Sequence, residues 1–185
     1  MNNFNQENYI KILKKFKKLK YDFVDYSNFK KKKNQIILRH DIDYSPFAAL
    51  KIAKIDYKLK IKSYFFFLIK NKYYNIREEK NLKILSEIKK LGHEIGLHFN
   101  NSSNFDYKNK KKFHKEIKIL EKILGKKINV FSFHKPGKYI KIPTKNKIFY
   151  KTNAYGKKYF KDCLYISDST GRWRYGHPLE NMKII

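Results

Sequence analysis

The residues of this chain whose types and spacing could do chemistry are Asp41-Ile42-Asp43, His98 and Ser132-Phe133-His134. On an extended backbone, side chains alternate, so Arg39, Asp41 and Asp43 share one side while His40 and Ile42 take the other. Two carboxylates that close repel unless a cation or a proton stands beside one of them. A divalent ion held by Asp43, with Asp41 left as a general base, satisfies both. A solvated carboxylate pair is the alternative that Asp-x-Asp spacing alone leaves open.

Gly92-His93-Glu94-Ile95-Gly96-Leu97-His98 reads as a strand with Glu94, Gly96 and His98 on one face, and its glycines allow close backbone approach. His98 ends that strand on the same rim as Asp43, where an imidazole is a borderline metal ligand. His93 begins it, and a structural hydrogen bond is expected there. In Phe131-Ser132-Phe133-His134-Lys135-Pro136-Gly137, Ser132 and His134 share a side opposite the two rings. For His134 three tasks stay open: metal ligand, general acid or oxyanion donor.

Positioning these groups is the work of an alternating pattern. Residues 5–20 place Tyr9, Ile12, Leu13, Phe16 and Leu19 on one helical face, predicting an amphipathic opening helix. Strands are then expected at 35–40, 61–69, 93–98 and 128–133, with a further one spanning Leu164 to Ser167. Helices are expected at 46–60, opened by Pro46, at 77–91, closed by Gly92, and at 108–124, closed by Gly125. Regular strand–helix–strand spacing argues for an α/β sheet or barrel, whose ligand site gathers at the C-terminal strand ends. Arg39–Asp43, Glu94–His98, Ser132–His134 and Ser167–Ser169 all fall at such ends.

Composition bounds the rest. At 185 residues the chain suits one domain, spanning 1–185, with no linker or repeat to divide it. Its 42% apolar and 17% aromatic content is too rich for a disordered tail. A lone cysteine, Cys163, excludes a disulfide framework. The longest apolar run, Tyr64 to Ile69, is far short of the ~20 residues of a membrane span. No leader is read in the opening MNNFNQENYIKILKK, so a cytoplasmic location is expected. The net charge of +28 rests almost wholly on lysine, the only arginines being Arg39, Arg77, Arg172 and Arg174. Nucleic-acid readers favour arginine, and the companion excess of Asn, Ile, Phe and Tyr follows A/T-rich codons. No specific nucleic acid is therefore expected.

Arg39-His40-Asp41-Ile42-Asp43, Tyr64-Phe65-Phe66-Phe67 and Gly92 to His98, in this order, resemble the polysaccharide deacetylase superfamily (NodB homology, carbohydrate esterase family 4). Within it they are most similar to the "RHDVD" branch associated with surface-polysaccharide biosynthesis. Ser132 to Gly137 and Tyr165 through Trp173 fit that branch, so the resemblance covers about residues 35–175. It implies a distorted (β/α) barrel and a metal-assisted deacetylase acting on an N- or O-acetylated sugar. It further implies Asp41 as base, and Asp43 and His98 as ligands of a divalent ion, Zn²⁺ foremost, with Co²⁺ or Mn²⁺ as alternatives. Arg39, Lys135, Asp168 and Trp173 are implied as substrate contacts.

Three positions depart from the family pattern. Ser102 stands where the second motif histidine belongs, so the remaining ligand is Ser102, a neighbouring Asn100 or Asn101, or His134. The third motif reads His134-Lys135-Pro136-Gly137, without its arginine, which leaves His134 as a candidate catalytic residue. The last motif strand, Leu-x-His, has no counterpart before Ile185, so the barrel is expected to be incomplete there. Two further readings therefore stand beside the deacetylase: a barrel that binds a glycan without hydrolysis, and a basic nucleic-acid binder.

Overall fold

The computed structural model describes residues 4–30, 32, 34–100, 107–135, 144–169, 171–173 and 176–181. The chain opens with helix α1 (Gln6–Lys18), capped by Asn5 Oδ1, which accepts from Asn8 N at 2.8 Å. It buries Ile12, Leu13 and Phe16, while Leu19 ends up beyond the last turn and exposed. Short strand β1 (Asp22–Phe23) then pairs in parallel with β2 (Gln35–Ile36).

A repeating strand–helix unit builds the main sheet. Strand β3 (Arg39–Ile42) leads to α2 (Pro46–Lys58), where Ser45 caps Ala48 N and Pro46 presets the first turn. Next come β4 (Tyr64–Phe67), α3 (Glu79–Lys90), β5 (Glu94–Phe99), α4 (Tyr107–Leu124) and β6 (Val130–Phe133). Beyond them lie β7 (Lys147–Ile148), β8 (Lys151–Asn153) and the short helices α5 (Lys157–Phe160) and α6 (Pro178–Asn181). The strand order is β3-β4-β5-β6-β8-β7, parallel except for the last pair. These pairings make a parallel-rich α/β sheet, and among the described residues no ladder joins β7 back to β3. No described helix is long and apolar enough to cross a membrane.

Side-chain alternation divides the sheet into two faces. Phe65, Phe67, Ile95, Leu97, Phe131 and Phe133 point toward the helices and pack with Leu85, Ile88, Phe113 and Leu120 in the larger core. Tyr64, Phe66 and Val130 point the other way and pack with Tyr26 and Ala154. Gly96 lies on this second face, where a Cβ would collide with the Phe66 ring and stand 2.8 Å from the Val130 carbonyl oxygen. Only glycine lets Phe66 lie across β5 here.

Two expected strands come out differently. The run at 35–40 is split, because Gln35 and Ile36 ladder with β1 whereas Arg39 onward ladders with β4. Leu164 to Ser167 joins no ladder and is held through its side chains, the Tyr165 ring packing against Phe160 and Tyr155.

Candidate metal centre

Parallel register brings the candidate side chains together. Asp41 sits opposite Phe66, Phe66 opposite Gly96, and His98 opposite Ser132, all facing away from the helices. One residue past the end of β6, His134 N still donates to Phe99 O at 2.9 Å, which carries its ring next to His98. One residue past β3, Asp43 is held by Asn71 Nδ2, which donates to its carbonyl oxygen at 2.8 Å. Behind β3, on the opposite face, His40 Nε2 lies 3.1 Å from the fully buried Asp56. Asp56 also accepts from Tyr9 OH and from Ser63 Oγ, each at 2.7 Å. His93 is structural, with Nδ1 accepting from Ser63 N at 3.3 Å and Nε2 donating to Ala53 O at 2.9 Å.

Asp43 Oδ1, His98 Nε2 and His134 Nδ1 form a triangle with sides of 2.9, 3.2 and 3.3 Å. Ser132 Oγ, fully buried, donates to Asp41 Oδ1 at 3.1 Å. It therefore accepts from His98 Nδ1–H at 2.8 Å, which leaves a lone pair on Nε2 facing Asp43. A lone pair aimed at a carboxylate oxygen calls for a cation or proton between them. With a proton in that place the two imidazoles donate to Asp43 instead, and although burial works to raise its carboxyl, those hydrogen bonds from His134 and His98 hold it well below the usual carboxylate range.

This donor set fits a borderline divalent ion. Ligands about 2.0–2.2 Å from a tetrahedral zinc lie roughly 3.3–3.6 Å apart, so the triangle would open by a few tenths of an ångström to take the ion. One carboxylate and two imidazoles are within reach of a single point.

Asp41 stands beside the triangle as an oriented carboxylate. Its Oδ2 accepts from Arg39 Nη2 at 3.2 Å, and the same nitrogen donates to Tyr165 OH at 3.2 Å. The Arg39 guanidinium carbon lies 4.3 Å from the centre of the Tyr155 ring, a cation–π contact. Arg39 Nη1 is buried with no hydrogen-bond partner among the described residues. The structure thus places Arg39, expected as a substrate contact, behind Asp41. Burial, outweighing the nearby Arg39 charge, pushes the Tyr155 hydroxyl far up and that of Tyr26 up to about 12, so both stay neutral.

Of the other expected site residues, Lys135, Asp168 and Trp173 lie among the described ones. Ser102 lies outside the described residues, as do Pro136 and Gly137. Lys135 is exposed next to His134, with a left-handed backbone at φ 46°. Asp168 is exposed in a turn where its carbonyl accepts from Gly171 N at 3.0 Å. Trp173 rests on Phe4 and His177, with ring centroids 5.1 and 5.3 Å away. Ser132 shares a side with His134, a placement legible from spacing, but its bonds to Asp41 and His98 need the β5–β6 register. Tyr155 carries no local signal, and Tyr165, though part of a segment that fits the resemblance, is not marked by the sequence as a partner of Arg39.

No family model and no curated protein matches this chain. Among solved structures it is similar to IcaB from Ammonifex degensii, at 14% identity and a TM-score of 0.54, covering 69% of this chain and 65% of that one. It is likewise similar to the Streptococcus pyogenes deacetylase PplD in complex with acetate, at 17% identity and a TM-score of 0.56, covering 72% and 63%. The chain spans just under two thirds of the length of each of these structures. It shares their fold, and the polysaccharide deacetylase resemblance drawn from its motifs is supported at that level.

Proposed function

We propose that this chain is a metal-dependent deacetylase that hydrolyses an N-acetyl or O-acetyl group on a sugar, in the assembly of a surface glycan. The observation that carries the reading is the Asp43–His98–His134 triangle with Asp41 oriented beside it. Of the three tasks open for His134, its distances to Asp43 and His98 favour the ligand, in the place expected of Ser102. Zn²⁺ suits this donor set, and Co²⁺ or Mn²⁺ would substitute. When bound, such an ion supplies Lewis acidity and acidifies water.

The chain's own residues do the remainder. Asp41 takes the proton of the attacking water, and Arg39 and Ser132 each hold one of its oxygens so that the accepting lone pair keeps its direction. Ser132 holds His98 in the tautomer that presents Nε2. Lys135, exposed beside His134, contacts the substrate. The low-identity likeness to PplD, a deacetylase seen with acetate, supports the reaction class.

A second reading is favoured by one feature. The His134 ring is turned into the triangle, 2.9 Å from Asp43 and 3.3 Å from His98, and so is engaged there instead of standing free to protonate a leaving group. On that reading the fold binds a glycan without hydrolysing it.

Metal content by mass spectrometry, on the wild type and on His98→Ala and His134→Ala, is the test. About one equivalent of Zn²⁺, lost in both variants, followed by acetate release from N-acetylated sugars, establishes the deacetylase. Metal retained by His134→Ala removes His134 from the donor set. One equivalent bound without acetate release gives the second reading.

A further inference from the structure

Two tyrosines stand in solvent at the edge of the candidate site. Tyr44 directly follows Asp43 and is 62% exposed, and Tyr73 is 52% exposed. Their rings pack at 4.8 Å between centroids and 60° between planes, with Lys72 Nζ 4.7 Å from the Tyr73 ring centre. Scattered single aromatics on a surface need no account, but a paired platform at the lip of a polar cluster does.

The backbone under this pair is bolted to the site. Asn71, whose Nδ2 holds the Asp43 carbonyl, turns its Oδ1 to accept from Tyr73 N at 2.8 Å and Tyr74 N at 2.9 Å. Tyr74 OH donates to Ile42 O at 2.6 Å and accepts from Leu68 N at 3.0 Å. Asn71 N donates to Tyr74 O and Ile76 N to Ile69 O, closing the loop. One amide side chain therefore sets both Asp43 and the Tyr73 backbone. The rings stay mostly in water while their attachment is rigid, which is how a surface prepares to bind without an ordering cost.

We infer that Tyr44 and Tyr73 form a sugar-stacking subsite, which receives a residue of an oligosaccharide adjacent to the one at Asp43; this rests on the proposed function. Pyranose rings carry an apolar C–H face and a polar rim. The phenol faces suit the first, and the phenol hydroxyls and Lys72 suit the second. A second copy of the chain is the poorer occupant. Two half-exposed tyrosines offer on the order of 200 Å², against the roughly 800 Å² per partner of a standard interface.

Isothermal titration with tetramers and monomers of N-acetylglucosamine, N-acetylgalactosamine and N-acetylmannosamine tests this. At least one tetramer should bind the wild type ten or more times more tightly than its monomer. The Tyr44→Ala/Tyr73→Ala double variant should lose about tenfold in tetramer affinity, with monomer affinity, zinc content and melting temperature unchanged. Tyr44→Phe/Tyr73→Phe should retain most of the tetramer affinity, since it keeps the faces. Equal tetramer affinity in the alanine variant, or no tetramer preference in any series, overturns the subsite. So does a wild-type dimer in sedimentation velocity that the alanine variant abolishes. The two readings fail separately: tetramer binding lost in the alanine variant of a protein that takes up no zinc keeps the subsite and removes the hydrolase. Zinc uptake and acetate release with unchanged tetramer binding do the reverse.

Discussion

Ser132 Oγ accepts a hydrogen bond from His98 Nδ1 at 2.8 Å, and this contact decides which nitrogen of the ring faces Asp43. The hydroxyl donates its own proton to Asp41, so the candidate base and a candidate ligand share one buried support. Removing it in Ser132→Ala should weaken zinc binding about 10–100-fold, the usual loss when a ligand's outer partner is deleted. Titration of the metal-free protein with zinc in the presence of a competing chelator measures this. Unchanged affinity would mean that the ring is held by its ligating side alone.

Asp41 lies outside the triangle and should be dispensable for metal. Asp41→Asn is expected to keep the wild-type zinc content while lowering kcat for acetate release by about 10²–10⁴-fold, the range for a general base. Loss of zinc in this variant would make Asp41 a ligand. Arg39→Lys keeps the charge without the planar fork, and should give an intermediate loss in kcat through a poorly directed Asp41.

Gly96 is a packing requirement. Gly96→Ala forces its new methyl into the Phe66 ring and the Val130 carbonyl, and should cost about 1–3 kcal/mol, as overpacking generally does. Chemical denaturation reads this directly. Gly92→Ala, with φ of 86° but nothing within 4 Å of its Cβ, should cost about 1 kcal/mol through backbone strain alone.

Glu116 on α4 gives a pH signature. Burial raises its carboxyl to about 7, with Lys112 only partly offsetting that effect. A carboxyl raised in the folded state binds more protons there than in the unfolded chain between about pH 4.5 and 7. Stability is therefore lost as pH rises through that window. Glu116→Gln should be close to neutral at pH 4 and stabilising by about 2–3 kcal/mol at pH 8. Melting temperatures at the two pH values decide it, and equal shifts at both would count against a buried carboxyl.

Much of the site was legible because period-two alternation and strand ends are local. Arg39 and Asp41 do share a side, and His40 and Ile42 do take the other. The departures are all non-local. The resemblance leaves the remaining ligand open between Ser102 with its neighbours, which lie outside the described residues, and His134, and it is the β5–β6 register that brings His134 within reach of His98. Arg39 is implied as a substrate contact, and the rings of Tyr155 and Tyr165, which lie against its guanidinium, come from far along the chain. Leu164 to Ser167 has the apolar character of a strand and spends it on ring packing.

Tyr165 is 126 residues from Arg39, and the Arg39 side chain is what aims Asp41. Such a contact closes late, because a long loop must give up its entropy before any interaction rewards it. During synthesis β3, β4 and β5 can pair and bury their phenylalanines long before Tyr165 leaves the ribosome. The Asp43–His98–His134 triangle would by then be assembled up to residue 134. The ability to hold an ion should thus emerge earlier in the life of each molecule than the ability to move a proton.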